Sequence, residues 1–221
     1  MLSVYLINTA HHSIAMKLLD NKIYLASKSP RRRELLRQIG VNFEILLLRD
    51  SNARPLDVSE STLPDEAPTD YVMRVTRDKA VAAWNMMVLR KLPIRPVLAA
   101  DTTVVLHGVI YGKPANRAEA HAMLSSLSGQ THQVLTCLSI HYLQTKWECT
   151  QISEVTFCTL SNNQINSYCD STEPYDKAGG YGIQGSAAQF ISHISGSYSG
   201  IMGLPLFETT ALLRQAGIQL P

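Results

Sequence analysis

The sequence has few of the features that mark several large classes of protein. Its four cysteines, Cys137, Cys149, Cys158 and Cys169, form no CxxC pair. Neither a zinc ribbon nor a disulfide framework is therefore predicted, and reduced thiols in a cytoplasmic protein are the expected state. No apolar run is long enough to cross a membrane. The chain also contains neither a GxGxxG turn nor a Walker loop, which leaves dinucleotide binding and P-loop kinase chemistry without support.

An excess of charge of one sign is also absent. The 20 lysines and arginines nearly balance the 18 aspartates and glutamates, which leaves a formal net charge of +2. That charge is too small for a general nucleic-acid binder, and the aromatic residues form no cluster on which bases would stack. The seven histidines are scattered, so none is assigned a catalytic or metal-binding role. Any basic function must be local.

The 221 residues suit one large domain or two small ones, and no linker or internal repeat divides them. The start of the chain lacks the charged region and cleavage site of a signal peptide, and Met16 opens a more natural beginning, "MKLLDNKIYLAS". We expect residues 1–21 to be an extension, either disordered or an artefact of an upstream start site. Residues 22–221 are expected to form a single domain.

Hydrophobic patterns and turn residues predict an α/β fold with an elongated mixed sheet and flanking helices. Helices are predicted at 30–39, 69–89, 116–129, after Ser161, and at 205–217. Strands are predicted at 23–27, 41–48, from 95 with a break at Asp101 and a hairpin at His107-Gly108, at 131–143, 146–160 and 187–195. The loop at 49–68 is long and polar, which is typical of a functional or mobile segment.

The segment "LASKSPRRRELL" places three arginines where a helix begins. Ser29 can cap that helix and Pro30 suits its first position. Cations are disfavoured there because the helix dipole is positive at its N-terminus. A solvated basic face is one interpretation. The other is an anion site, most simply for phosphate, formed by the guanidiniums and the backbone N–H groups together.

Two further segments carry candidate chemistry. Asp101 lies within the apolar strand "VLAADTTVVL", where a carboxylate either caps backbone amides at a bulge or belongs to a polar site. Lys79, Lys113, Glu60 and Glu208 supply further charges of both signs, a set suited to polyphosphate hydrolysis with a divalent metal. One interpretation of the loop "DKAGGYGIQG" is a plain flexible connection. The other is that its glycines let the backbone approach a ligand closely and that the Gln184 amide recognises a base edge.

Three segments together, "LASKSPRRRELL", "AADTTVVLHGVIYGKP" and "EPYDKAGGYGIQG", resemble the Maf family of nucleotide pyrophosphatases, and "SGQTHQV" and "GLPLFET" agree with it. The resemblance covers about residues 22–217. It implies a fold similar to inosine-triphosphate pyrophosphatases, with a central cleft between two lobes. It also implies hydrolysis of a nucleoside triphosphate to the monophosphate and pyrophosphate with Mg²⁺ or Mn²⁺, and it allows a homodimer.

The resemblance implies roles residue by residue. Asp101 matches the family's proton acceptor. The phosphate-facing positions are Ser27, Arg31, Arg32, Lys79 and Lys113, and the positions associated with base choice are Arg31, Thr102 and Gln184. The pair "D-T" and "G-I-Q-G" is similar to the subgroup that acts on dTTP and UTP, with modified pyrimidine nucleotides as a further substrate class. The sister subgroup, which prefers 7-methyl-GTP, carries "D-Q" and "S-E-G" instead.

The sequence departs from the family pattern after the second strand. The family has a Val-Asp-Glu element there, and the best match is "DVSES", with Ser59 in place of the aspartate and Glu60 as the candidate acid. Metal ligands are therefore expected among Asp101, Glu60 and Glu208. Two other interpretations stay open at this point: a nucleotide-binding regulator of septum formation with little catalysis, and a nucleic-acid binder using the same arginines. A membrane partner is not expected.

Overall fold

The computed structural model describes residues 5–7, by backbone only, together with residues 20–47 and 58–221. Most of the predicted extension and the first part of the predicted polar loop lie outside these residues. The helices described are α1 (Pro30–Gln38), α2 (Pro68–Leu89), α3 (Arg117–Leu127), α4 (Asn162–Cys169), α5 (Tyr198–Ile201) and α6 (Leu206–Gln215). The strands are β1 (Tyr5–Ile7), β2 (Lys22–Leu25), β3 (Asn42–Ile45), β4 (Val97–Leu106), β5 (Val109–Tyr111), β6 (Thr131–Tyr142), β7 (Thr145–Phe157) and β8 (Ile191–Ser195).

One mixed sheet joins the eight described strands in the order β1-β7-β6-β4-β2-β3, with β5 added to β4 and β8 added to β7. Three long antiparallel strands, β4, β6 and β7, form its centre. β2 pairs with the beginning of β4, at Val97 and Leu98, and β5 pairs with its end, from Val104 to Leu106. Residues 99–103 of β4 therefore lie between two short strands, and neither of those strands covers this edge.

Two hydrophobic clusters lie along one face of the sheet, because alternate residues of β4 point to the same side. Leu98 and Ala100 pack in the first cluster, with residues of β2, α1 and α6. Val104 and Leu106 pack in the second, with residues of α3, α4 and the segment around Tyr181. Helix α2 covers the opposite face, where two smaller clusters include Val97 and Val105. The space between the two larger clusters is where the uncovered edge of β4 opens.

Most of the predicted elements are confirmed. Ser29 caps α1 through its side chain, and Ser161 and Gln164 form the predicted capping box of α4. The hairpin turns at His107 and Gly108, both with positive φ, which is the geometry that a two-residue turn between twisted strands requires.

Two expectations about the elements are wrong, and one short helix was not expected. Strand β4 is not broken at Asp101, because its backbone pairs with Cys137 of β6 without interruption. The segment predicted as a strand from residue 187 begins with a 3₁₀ turn, and its strand starts at Ile191. Helix α5 was not predicted, since four residues are too few for a helical hydrophobic pattern.

Candidate active site

A cleft of about 900 Å³ opens at the uncovered edge of β4, between the two larger hydrophobic clusters. Nine of the predicted site residues line it: Ser27, Arg31, Arg32, Glu60, Lys79, Asp101, Thr102, Lys113 and Gln184. They come from the end of β2, the start of α1, the loop before α2, α2 itself, β4, the turn after β5 and the glycine-rich loop. Residues separated by more than 150 positions in the chain thus meet in one cavity.

Arg32 is held in the cleft by three hydrogen bonds. Its Nε donates to the Gly203 carbonyl at 2.7 Å, its Nη1 to Ser27 Oγ at 3.3 Å and its Nη2 to Thr102 Oγ1 at 3.1 Å. Burial lowers the pKa of the guanidinium, and the negative charge of Asp101 opposes that shift. Because a guanidinium has five N–H donors and these contacts use three of them, two remain for an anion.

The other two arginines of the run behave differently from one another. Arg31 lines the cleft, with Nη1 3.7 Å from Asp176 Oδ2. Arg33 is not among the residues that line it, and its Nε is buried without a hydrogen-bond partner in the part of the chain that the structure describes. Successive helical residues point about 100° apart, so a run of three cannot all face one cavity.

Asp101, Lys79 and Glu60 form an ion cluster on the opposite wall. Lys79 Nζ lies 2.6 Å from Asp101 Oδ1 and 2.7 Å from Glu60 Oε1. Burial by itself would raise the pKa of Glu60, but the hydrogen bond and charge of Lys79, together with the charge of Lys113, lower it. Glu60 is therefore ionised at neutral pH. One ammonium group bridges two carboxylates, and carboxylates are the side chains through which Mg²⁺ usually binds to proteins.

Asp101 and Thr102 are neighbours on the uncovered edge of β4, and both side chains reach the cleft. Neighbouring residues of a strand point to opposite faces, so Asp101 reaches Lys79 on the α2 side while Thr102 meets Arg32 on the α1 side. Both side chains line one cleft because no strand covers this stretch of β4. The carboxylate and the fixed guanidinium thereby face a common space from two sides of the sheet.

The glycine-rich loop is held by Glu173. The Glu173 carboxylate accepts hydrogen bonds from Tyr168 Oη at 2.9 Å, from the Ser186 backbone N–H at 3.0 Å and from Ser186 Oγ at 2.8 Å. These hydrogen bonds lower its pKa although burial opposes them. A Cβ atom on Gly185 would lie 1.9 Å from Glu173 Oε1. The loop that presents Gln184 therefore closes tightly on a carboxylate.

Several lining residues received no role from the sequence. Glu173, Asp176, Lys177 and Tyr181 all line the cleft. They belong to the segment "EPYDKAGGYGIQG". The family motif that drew attention to Gln184 therefore also contains these residues. Tyr181 packs on the cleft floor with its hydroxyl 2.7 Å from Nε2 of the buried His132, a contact between residues 49 positions apart.

Glu208 is the one predicted ligand that the structure does not bring into the cleft. It lies in the first turn of α6, and its Oε2 is buried with no hydrogen-bond partner among the described residues. Burial, and secondly the charge of Glu208, raise the pKa of the Cys149 thiol to about 11, so the carboxylate is near β7. The expectation that it reaches the metal gains no support from this position.

The four cysteines are free, three of them buried. In residues 20–47 and 58–221, no group of three histidine, cysteine, aspartate or glutamate side chains is arranged to hold a metal by itself. No helix among them is long and apolar enough to span a bilayer.

Comparison with known proteins gives a consistent result. Proteins named dTTP/UTP pyrophosphatase are 53% identical in Nitrosomonas europaea, over 90% of this chain and 96% of that one, and 54% identical in Ralstonia nicotianae, over 90% and 95%. The protein of that name from Dechloromonas aromatica is 48% identical, over 90% and 98%.

A solved structure, that of the Staphylococcus aureus Ham1 protein, superposes with a TM-score of 0.42 at 14% identity, over 62% of this chain and 71% of that one. The family described as Maf-like protein matches residues 22–216. With the match spanning every residue that lines the cleft, the chain belongs to the Maf-like protein family.

Proposed function

We propose that this protein is a hydrolase of acid anhydrides that converts dTTP and UTP to the monophosphate and pyrophosphate. The observation that carries the proposal is the meeting of a fixed guanidinium, Arg32, with the Asp101–Lys79–Glu60 ion cluster in one cleft. The relatives named dTTP/UTP pyrophosphatase support the same activity. Modified pyrimidine nucleotides are a further substrate class for the same site.

The cations of the cleft bind the triphosphate in this proposal. Arg31 and Arg32 act at the start of α1, Lys79 and Lys113 act from the other wall, and Ser27 orients Arg32. Guanidinium groups suit phosphate because they donate two parallel hydrogen bonds. Since Arg32 is already held by three protein acceptors, little further conformational entropy is lost when the substrate binds.

Asp101 acts as the proton acceptor. A water oxygen attacks the α-phosphorus, its proton passes to the Asp101 carboxylate, and the bond from the α-phosphorus to the oxygen that bridges the β-phosphate breaks. The electron pair of that bond leaves with pyrophosphate. Lys79 orients the Asp101 side chain through its 2.6 Å contact, so the proton acceptor is in place before water arrives.

The carboxylates of the cleft fit a divalent cation. Mg²⁺ is usually bound by one or two carboxylates together with substrate phosphate oxygens, and Asp101 and Glu60 are two carboxylates joined through one ammonium group. We propose that Asp101 and Glu60 hold Mg²⁺ or Mn²⁺ when the triphosphate is present. The ion would neutralise charge on the phosphate oxygens.

Base choice is assigned to Gln184, Thr102 and Arg31. A Gln amide offers one donor and one acceptor, which matches the O4 acceptor and the N3–H donor of uracil or thymine. Gln184 lines the cleft on the glycine-rich loop that Glu173 fixes. Glu173 therefore fixes the backbone from which the Gln184 side chain extends toward the proposed base site.

The wider setting of the protein is proposed with the activity. Residues 22–221 act as one domain with two lobes, each built on one of the two larger hydrophobic clusters. A cytoplasmic location, a homodimer, and the absence of nucleic-acid and membrane partners remain predictions. Size measurement in solution tests the dimer.

An assay of purified protein with Mg²⁺ and dTTP, UTP, CTP, GTP and 7-methyl-GTP tests the function. Monophosphate and pyrophosphate should form fastest from dTTP and UTP. Release of orthophosphate instead would contradict the proposal. Nucleotide binding without turnover would favour a regulator, and retention by RNA or DNA without nucleotide binding would favour a nucleic-acid binder.

A further inference from the structure

Glu60 lies on a segment that has no regular structure to hold it. Residues 58–67 form a loop between the end of the undescribed segment and the start of α2. The Glu60 side chain is 52% exposed, against 15% for Asp101 on its strand. An exposed carboxylate on a loop loses conformational entropy when it is confined. Contacts to the loop backbone must therefore keep it beside Lys79.

Two side chains of α2 bind three consecutive carbonyls of this loop. Arg74 Nη1 donates to the Ser59 carbonyl at 3.3 Å and Nη2 donates to the Ser61 carbonyl at 2.9 Å. Tyr71 Oη donates to the Glu60 carbonyl between them at 2.9 Å. The backbone on both sides of Glu60 and at Glu60 itself is thus attached to one helix.

Glu66 anchors the same guanidinium from the other end of the loop. Arg74 Nε lies 2.6 Å from Glu66 Oε1 and Nη2 lies 2.8 Å from Oε2. Glu66 Oε2 also accepts from the Leu63 backbone N–H at 3.0 Å. The hydrogen bond from Arg74 lowers the pKa of Glu66 to about 2, so the pair stays ionised over the working pH range. The Glu66 carboxylate therefore fixes the orientation of the guanidinium that contacts the loop carbonyls.

The spacing on α2 links these contacts to the ion cluster. Residues three or eight apart lie near one another around a helix, so Tyr71 lies between Arg74, three residues on, and Lys79, eight residues on, while Arg74 and Lys79 point about 140° apart. Tyr71 and Arg74 fix the backbone around Glu60, and Lys79 fixes its carboxylate and that of Asp101. One helix therefore sets where the loop carboxylate stands relative to the strand carboxylate.

We propose that Arg74 is a positioning residue for the reaction, which holds the loop of residues 58–67 so that Glu60 stays beside Asp101. The proposal rests on the proposed function, in which Glu60 helps to hold the divalent cation. It also accounts for the departure from the family pattern at Ser59: the loop contacts Arg74 through the Ser59 backbone carbonyl, an atom that any residue at this position supplies.

Hydrogen exchange on the full-length protein tests whether Arg74 holds the loop. In Arg74→Ala, amide exchange in residues 58–67 should rise by about 10-fold or more, because local opening loses at least one charged hydrogen bond. Arg77→Ala is the matched control, since Arg77 also lies on α2 and makes a two-point contact with a glutamate, Glu148, but makes no hydrogen bond or ion pair with the described loop residues 58–67. Equal exchange in Arg74→Ala and wild type would overturn the proposal.

Steady-state kinetics with dTTP and Mg²⁺ test whether the loop acts through Glu60. Arg74→Ala should lower kcat by about 10-fold or more while KM changes by less than about 3-fold, as expected when a group is misplaced for the chemical step. Arg77→Ala should keep the wild-type rate. In a Glu60→Gln background, Arg74→Ala should cause no further loss, because two changes that remove one contribution are not additive.

Two kinetic outcomes would contradict the proposal: an equal loss from Arg74→Ala with and without Glu60, or a loss confined to KM. Arg74→Lys covers the case in which the alanine variant folds poorly, because it keeps the charge but cannot reach both carbonyls and Glu66 together. It should show the same pattern in smaller degree. If the wild-type protein hydrolysed no triphosphate, the proposed function would fail, and the exchange comparison would still decide whether Arg74 fixes the loop.

Discussion

At the scale of single residues, the proposed chemistry depends on where two neighbouring side chains of β4 point. Asp101 meets the ammonium of Lys79, and Thr102 meets the guanidinium of Arg32. Inside a covered strand these two side chains would face separate compartments. At an uncovered edge they face one cleft, so the proposed base, Asp101, and the proposed phosphate ligand, Arg32, line the same cavity.

Asp101→Asn should reduce hydrolysis of dTTP by about 10²–10⁴-fold, the range that general-base removal typically causes. The amide cannot take the proton of water, although its oxygen can still accept a hydrogen bond from Lys79. Rates with saturating dTTP measure the effect, and a melting curve checks that the fold is retained. A variant that kept most of its rate with an intact fold would remove Asp101 from the proposed role.

Gln184→Ala should alter the preference among dTTP, UTP, CTP and GTP more than it alters the rate on any one of them. The loss of the amide removes the pairing with the base edge, while the phosphate ligands stay in place. The ratios of kcat/KM for the four substrates measure this preference. Gln189→Ala is the control, since Gln189 bonds the Ser186 carbonyl and does not line the cleft. An unchanged ranking in Gln184→Ala would exclude base recognition by this residue.

At the scale of elements, the glycine-rich loop is shaped by packing against a carboxylate. Gly185 approaches Glu173 so closely that no side chain fits between them, whereas a Cβ atom on Gly112, in the turn after β5, would meet no atom within 4 Å. Gly185 and Gly112 are therefore not equivalent, although both lie in short loop segments of the sequence. Only at Gly185 does a neighbouring atom, in the Glu173 carboxylate, leave no room for a side chain.

Gly185→Ala should raise KM for dTTP and lower the melting temperature, because the methyl group would displace the Glu173 carboxylate from Ser186 and Tyr168. Forcing an extra carbon into such a contact typically costs about 1–3 kcal/mol. Gly112→Ala, where the methyl group meets open space and φ is ordinary, should leave both quantities near the wild-type values. Equal behaviour of the two variants would show that Glu173 does not hold the loop.

At the scale of the whole molecule, long shared strands connect both walls of the cleft to one sheet. β4 contributes to both larger clusters, and α2 covers the sheet behind them. His132 packs against two residues of the second cluster: it is 1% exposed, its Nε2 lies 2.7 Å from the Tyr181 hydroxyl, and its ring meets Phe157 edge-on at 5.1 Å. Burial lowers its pKa to about 4, so it is neutral in the folded protein.

The stability of the folded protein should therefore fall on mild acidification. Below about pH 6.5 the unfolded chain takes up a proton at His132 that the folded protein does not take up until about pH 4, so the free energy of unfolding decreases over that interval. Between pH 6.5 and 5.0 this residue should account for about 1.5 kcal/mol.

Denaturant unfolding at both pH values, on the wild type and on His132→Gln, measures that contribution. The pKa of His141 is also lowered by burial, but His141 is present in both proteins, and its contribution cancels in the comparison. The same loss of stability in both proteins would show that His132 is not the group responsible.

Much of the fold could be predicted because its signals are local. The cap at Ser29, the capping box at Ser161 and Gln164 and the turn at His107-Gly108 each depend on a few adjacent residues. The break expected at Asp101 did not occur because a carboxylate on an uncovered strand edge reaches a polar cleft without any disturbance of the ladder. That edge depends on the short lengths of β2 and β5, which hydrophobic pattern alone does not show.

The sequence by itself determined the α/β class, most of the element boundaries and the types of residue that the cleft uses, since these follow from local pattern and from motifs. Only the tertiary structure decided which charges meet. It brings Lys79 between Asp101 and Glu60, holds Arg32 on Gly203, attaches the Glu60 loop to Arg74 and leaves Glu208 outside. The physical reason is that contacts between residues distant in the sequence depend on how the helices and strands pack. Local patterns along the chain do not show that packing.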